Sequence, residues 1–201
     1  MKRYKSFTIL NFLLFSIAIM LSGNVFAVKP QKPSAIPIYE IGKTGPAGGI
    51  VFHISDGGGN RVRGHHGLEV APVDQGMAAW GCYATEITGA NGAAIGTGAK
   101  NTTDILTGCT EPGIAAELAT NYELNGYTDW FLPSLEELNL IRRNLFPLEL
   151  GGFLGGYWTS TEVSTTGDSG FAWANNFDYD NSPQVRTPTN TQLMARAVRA
   201  F

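Results

Sequence analysis

The sequence is poor in the motifs that mark common enzyme classes. Its two cysteines form no CxxC pair, and no histidine stands near either of them in the chain. The GxSxG motif of α/β-hydrolases is absent. Gly42-Lys43 lacks the glycine that a P-loop needs five residues earlier, because Pro37 stands there. A Ser-His-Asp set is conceivable, but no positioned nucleophile accompanies the three histidines. The residues alone therefore indicate no catalytic reaction.

The chain also lacks an apolar run of about 20 residues, the length that a membrane-spanning helix needs. The longest such run, residues 7–21, is interrupted by Asn11. Basic residues precede it and small residues end it at Ala27. This order is typical of a cleavable signal peptide rather than of an anchor. We predict a signal peptide over residues 1–27, no membrane span after its removal, and an extracytoplasmic location: secreted, cell-surface or periplasmic.

Cleavage would leave 174 residues, the size of one domain. The signal segment holds three of the 14 basic residues and none of the 17 acidic ones, so the remainder has 11 and 17, a net charge of −6. Nucleic-acid binding requires a basic surface, and no nucleic-acid partner is expected. Residues 28–39 are rich in proline and predict a linker. Residues 40–201 have the composition of one globular domain.

The two cysteines, Cys82 and Cys109, are predicted to form a disulfide, because even cysteine numbers in exported proteins usually pair. A metal site and a reactive thiol pair are the alternatives. The bridge would close a long segment rich in glycine, alanine and threonine. A staple of this kind stabilises a loop-rich fold by reducing the entropy of the unfolded chain.

Hydrophobic periodicity predicts an α+β domain with two helices packed on a mostly antiparallel sheet. One helix is expected over residues 114–122. The other begins at Ser134, where Glu137 completes a capping box, and ends before Pro147. Thr103 to Leu106 predicts a single helical turn. Short β-rich runs predict strands at residues 50–54, 68–72, 157–161, 171–177 and 195–201.

Two groups of residues are candidates for ligand binding. The first is a positively charged loop, which would contact anionic sugars or simply be solvated; it contains Arg61, Arg63, His65 and His66. The second is aromatic. Trp158 and Trp173 would stack on sugar rings if they were exposed, although tryptophans are usually core residues.

A calcium site is a further hypothesis. Asn176, Asp178 and Asp180 cluster at the end of a predicted strand, and Glu162 would join them from the neighbouring strand. Carboxylate and amide oxygens are the ligands that Ca²⁺ prefers, although the spacing is not that of an EF-hand. The alternative is an ordinary turn, in which asparagine and aspartate are common.

Several blocks of the sequence occur together in one known family. The most specific are LPSLEEL, YWTSTE and the terminal RAVRAF. Others are IGKTGPAGGIVFHISDGG, GLEVAPVDQGMAAWGCYATEI, GTGAKNTTDILTGC, NGYTDW and FAWANNFD. In these blocks residues 40–201 resemble the Lcl C-terminal domain family, which is named after a collagen-like adhesin of Legionella.

The resemblance implies a C-type-lectin-like fold and a role at the bacterial surface. The adhesin that names the family binds sulfated glycosaminoglycans through a trimer. The present chain has no collagen-like stalk and is acidic, so such binding would need a local basic patch. We therefore expect a secreted or surface-exposed, non-enzymatic binding module for glycans or glycosaminoglycans. The alternatives are an enzyme on the related formylglycine-generating-enzyme fold and a purely structural envelope protein.

Overall fold

The structure is a computed structural model that describes residues 38–55, 66–163, 169–178 and 184–201. The predicted signal peptide and most of the predicted linker lie outside these residues. Arg61, Arg63, His65 and Asp180 also lie outside them. No helix in the described part of the chain is long and apolar enough to cross a membrane.

The described residues contain three α-helices, one 3-10 helix and eight strands. The helices are α1 (Gly98–Gly108), α2 (Ala115–Thr120) and α3 (Leu135–Asn144), and the 3-10 helix is Phe146–Leu148. The strands are β1 (Ile50–Ile54), β2 (Gly67–Val70), β3 (Gly76–Ala78), β4 (Gly156–Glu162), β5 (Phe171–Asn176), β6 (Gln184–Pro188), β7 (Leu193–Ala195) and β8 (Val198–Ala200).

The α+β class is confirmed, but the number of helices was predicted wrongly. The turn expected at residues 103–106 is part of α1, which has 11 residues. The last predicted strand divides into β7 and β8, and β3 and β6 were not predicted. The sheet is in fact two sheets, ordered β1-β2-β8 and β3-β7-β4-β5-β6. All pairings are antiparallel except that of β4 with β7, which makes the larger sheet mixed.

Core residues pack on both faces of the five-stranded sheet. Trp158 on β4 and Ala174 on β5 pack against Ile105 of α1 and the alanines of α2. On the opposite face, Tyr157 and Phe177 pack against α3 and the smaller sheet. Side chains alternate between the faces of a strand, so odd-numbered residues of β5 point toward α3. Phe171 and Trp173 on β5, and Phe177 directly after it, lie on this face. Only Phe177 is buried, because α3 does not cover the other two.

The capping box of α3 is present as predicted. Ser134 accepts a hydrogen bond from the backbone N–H of Glu137, and the Glu137 carboxylate accepts one from the Ser134 N–H. The apolar stripe of Leu138, Ile141 and Leu145 is fully buried. These two features fix both the start and the rotation of α3, and they leave its polar side facing β6 and solvent.

Candidate functional site

A polar cleft lies between α3 and the start of β6. Its volume is about 420 Å³, within the range of small-molecule sites. It is lined by Glu136, Asn139, Arg142, Arg143, Phe146, Pro147 and Gln184. We refer to these seven residues as the polar cleft. Two guanidinium groups, two amides, one carboxylate and one aromatic ring therefore meet in a single depression.

Arg142 is held in place by its surroundings. Its Nη1 donates to the carbonyl of Asn176 at 3.0 Å. Its guanidinium carbon lies 5.2 Å from the Phe146 ring centre and 5.5 Å from that of Phe177. These are cation–π distances, so the charge is fixed between two aromatic rings and the end of β5.

The amide of Asn139 is oriented by a chain of hydrogen bonds that runs from the sheet to the cleft. Asn175, fully buried on β5, donates through Nδ2 to Asn139 Oδ1 at 2.9 Å. Asn139 in turn donates to Glu136 Oε1 at 3.0 Å. Asn175 Oδ1 accepts no hydrogen bond within the described structure, which is unusual for a buried oxygen. This series of hydrogen bonds holds the Glu136 carboxylate in the cleft.

Arg143 is the more exposed of the two arginines. Its Nη2 lies 3.7 Å from Glu136 Oε2, too far for a direct hydrogen bond, and both side chains are solvent-accessible. Exposed pairs of this kind contribute about 0–1 kcal/mol to stability. Arg143 can therefore turn toward an acidic or hydroxylated ligand at little cost.

Trp173 lies on the same sheet face as Asn175 but does not line the polar cleft. It stands two residues before Asn175 on β5, a separation of about 7 Å along a strand. It is half-buried and is paired across the ladder with Arg186, whose guanidinium lies 4.3 Å from the Phe171 ring centre. Two aromatic rings and a cation thus lie close together on β5 and β6.

The other predicted binding residues are not gathered at this site. Trp158 is fully buried, and its Nε1 donates to Ala78 O at 2.9 Å, so its ring cannot stack on a ligand. Trp80 and Trp130 are core residues as well. His66 is exposed and directly precedes β2. The structure does not describe the other members of its predicted basic loop.

Among the described residues proposed for calcium, Glu162 lies apart from Asn176 and Asp178. Asn176 pairs with Gly156 at one end of β4, whereas Glu162 pairs with Ala172 at the other end. Glu162 is instead buried and accepts from the Ile87 N–H through both oxygens at 3.1 Å. It therefore cannot share an ion with Asn176 and Asp178.

Asn176 and Asp178 have the contacts of a turn. Asn176 Oδ1 accepts from the Asp178 N–H at 2.8 Å, the short local bond typical of such residues. Asp178 Oδ1 accepts from the Gly155 N–H at 2.9 Å. These bonds support the alternative interpretation, in which the cluster shapes the chain after β5.

The predicted disulfide is present. Cys82 and Cys109 are bonded, with a Cα–Cα distance of 5.6 Å and a sequence separation of 27. Glu111 completes the one group of three potential metal ligands found among the described residues. Its carboxylate accepts from the Cys82 N–H at 2.9 Å. Because both sulfurs are in the bridge, the thiolates that a metal would need do not exist here.

Buried carboxylates hold the irregular loops against the core. Glu137 accepts from the Gly96 N–H at 2.7 Å in addition to its capping bond. Burial raises the pKa of Glu137, and the backbone N–H groups of Ser134, Gly96 and Gly98 partly offset this effect. Burial likewise raises the pKa of Glu162.

The raised pKa of Glu137 gives a testable pH dependence. The folded state holds its proton more tightly than the unfolded state, so this group stabilises the fold below about pH 4.5 and the contribution is lost as pH rises through the folded pKa. Glu137→Gln removes the titration. We expect the unfolding free energy of the native protein, relative to the variant, to fall across that window by about 1.4 kcal/mol for each unit between the two pKa values.

Urea unfolding at a series of pH values between 4 and 8 would measure this difference. Glu123→Gln, at an exposed position, is the matched control and should run parallel to the native protein. A native-minus-variant difference that rises with pH would contradict the assignment.

The residues of the polar cleft were not predicted from the sequence. Arg142 and Arg143 stand on the polar side of α3, which the sequence predicted only from its periodicity and its two ends. A usable signal was Asn139, an amide placed next to the buried stripe, where a nonpolar residue is more common. Gln184 carries no comparable signal, because its role depends on how β6 pairs with β5.

Comparison with family models and with curated proteins gives no match to this chain. The ligand of the cleft must therefore be inferred from the chemistry of the residues that line it. Arginine, asparagine and glutamine offer planar donor groups, and Glu136 offers an acceptor, so the site suits a ligand with several hydroxyl or acidic groups.

Proposed function

We propose that residues 40–201 form an extracytoplasmic, non-enzymatic binding module for carbohydrates, including acidic or sulfated glycans. The observation that carries the proposal is the polar cleft with its two arginines. On a chain of net charge −3, these two cations stand together in one cleft with the Phe146 ring. A local basic patch is what binding of an anionic polymer by an acidic protein requires.

The site chemistry agrees with this function. Hydroxyl groups both donate and accept, and the cleft presents both donors and an acceptor. Phe146 and Pro147 in the cleft, and the half-buried Trp173 on β5, offer apolar surface for the faces of sugar rings. The disulfide favours an oxidising compartment, in agreement with the predicted signal peptide. The resemblance to the Lcl C-terminal domain family, and the C-type-lectin-like fold it implies, support the same proposal.

Binding to immobilised glycans tests this function. The panel should contain neutral oligosaccharides, uronic acid polymers and sulfated glycosaminoglycans. We expect the variant Arg143→Ala/Gln184→Ala to bind its best ligand about tenfold or more weakly, since hydrogen bonds to a charged group are worth about 1.5–3 kcal/mol. Lys100→Ala is the matched control, because Lys100 is an exposed cation on α1 that pairs with Asp104 and does not line the cleft.

The same panel, run with calcium and with a chelator, should give equal signals, because the cleft supplies its own cations. The proposal fails if no glycan binds above an inert control, or if the double variant binds as well as the native protein.

A further inference from the structure

A second, apolar cleft adjoins the polar cleft. Its volume is about 590 Å³. Phe146 and Pro147 line both clefts and form the wall between them. Beyond this wall the lining is mainly apolar and includes Leu150, Phe153 and Leu154. We refer to these five residues, together with Glu149 and Gly152, as the apolar cleft.

The apolar cleft presents its hydrophobic groups to solvent on a fixed backbone. Leu154 is 75% exposed, whereas Phe153 is buried at 3% and forms the floor. The Arg196 guanidinium lies 4.5 Å from the Phe153 ring centre, and its Nη1 donates to Gly151 O at 3.0 Å. The Leu154 N–H donates to the Tyr157 hydroxyl at 3.3 Å. The cleft is therefore preformed. Its exposed Pro147 and Leu154 line it together with the half-buried Phe146 and Leu150, and a contiguous apolar surface of this kind indicates a binding site.

We propose that the module recognises an amphiphile, a glycan carrying an alkyl or acyl chain, with the sugar in the polar cleft and the chain in the apolar cleft. This inference rests on the proposed function and specifies its ligand class. The wall shared by the two clefts places an apolar surface directly beside a hydroxyl-binding one. The volume of the apolar cleft is within the range of small-molecule sites, which favours a flexible chain over a flat protein surface.

The charges agree with this orientation. Arg142 and Arg143 line only the polar cleft, and the one ionisable residue lining the apolar cleft, among the described residues, is the acidic Glu149. An acidic or hydroxylated head group is thus directed to the α3 side, and the chain is directed past the Phe146–Pro147 wall. Each methylene that the cleft buries strengthens binding about fourfold.

Calorimetric titration with matched octyl and methyl glycosides tests the inference. The probes are the glycosides of glucose, galactose, mannose and glucuronic acid, used below their micelle concentrations. We expect at least one octyl glycoside to bind about tenfold or more tightly than its methyl counterpart. Leu154→Ser should remove this preference without changing the affinity for the methyl glycoside.

Leu148→Ser is the matched control, because Leu148 is 57% exposed and does not line the cleft. Its octyl preference should stay at the native value, and both variants should keep the native melting temperature. Equal affinities for octyl and methyl glycosides would overturn the inference and leave the glycan proposal standing. A preference that survives in Leu154→Ser, or falls equally in both variants, would also overturn it.

Two further outcomes separate the remaining possibilities. Self-association that Leu154→Ser abolishes, without any octyl preference, would assign the apolar cleft to a second copy of the chain. A panel in which no glycan or glycoside binds would overturn both the inference and the proposed function.

Discussion

Replacing Glu69 with leucine is expected to destabilise the protein by about 3–5 kcal/mol, the range for breaking a buried ion pair. Glu69 stands on β2 with 0% of its surface exposed. It accepts hydrogen bonds from the N–H of Ala47 at 3.1 Å and of Gly49 at 3.0 Å. Arg199 Nη1 donates to it at 3.0 Å. The leucine would leave these three donors without their buried acceptor.

The chain around Glu69 packs closely against its side chain. The glycines at 45 and 49 lie so close to it that a Cβ at either position would meet the carboxylate or its side chain. Arg199 keeps one partner, since its Nε donates to Asp129 at 2.5 Å. Asp129 is largely exposed, so that bond alone does not neutralise the buried side of the guanidinium.

Denaturant unfolding of a double-mutant cycle would measure the effect. Arg199→Met in the Glu69→Leu background should recover part of the loss, because it removes the uncompensated charge. A destabilisation of about 1–3 kcal/mol should remain, because the two backbone N–H groups are still unpaired. Asp129→Asn is the exposed control and should cost about 1 kcal/mol or less. A loss below 1 kcal/mol for Glu69→Leu would show that water or another group satisfies these donors.

Removing the disulfide is the second change with a large expected effect. Cys82→Ser/Cys109→Ser should lower the unfolding free energy by about 3.5 kcal/mol, the chain-entropy value for a closed loop of this length. Cys109 is buried at 3%, beside Ile114 in the core cluster that contains α1 and α2. The loss should therefore appear in the global unfolding transition.

Thiol titration of the native protein supplies the control for this experiment. We expect no titratable thiol before reduction and two after it. Two free, metal-responsive thiols in the native protein would contradict the bridge and would favour the formylglycine-generating-enzyme alternative. A double-serine variant as stable as the native protein would show that the disulfide does not stabilise the fold.

Local signals predicted the parts of the fold that depend on local physics. Ser134 and Glu137 satisfy each other within one turn, so the start of α3 could be located from four residues. Helix α1 was underestimated because its threonines have low helix propensity. Thr102 and Thr103 hydrogen-bond back to carbonyls four residues earlier, and burial of Ile105 supplies the stability that propensity does not.

The candidate site depends on contacts between segments that are far apart in sequence, and local sequence patterns do not predict such contacts. Glu69, Glu137 and Glu162 have the same side chain as the exposed glutamates of the chain, and only the loops that fold onto them make them buried acceptors. Gln184 and Arg142 become neighbours because β6 pairs with β5 and α3 crosses their ends. Strands as short as β3 carry too few residues for a periodic pattern.

The order of the strands has a consequence for how the chain acquires its structure. Strand β7 lies between β3 and β4, and β8 completes the sheet that β1 and β2 begin. Phe131, ahead of α3, also forms its bridge with Val198 of β8. Strands so distant in sequence pair slowly, because the intervening chain must lose conformational entropy before they meet. The chain is synthesised from its N-terminus, so neither sheet can be completed until the segment from Leu193 onward has been made. Until then β2 and β3 carry unpaired edges, and the nascent chain must be kept from pairing with its neighbours.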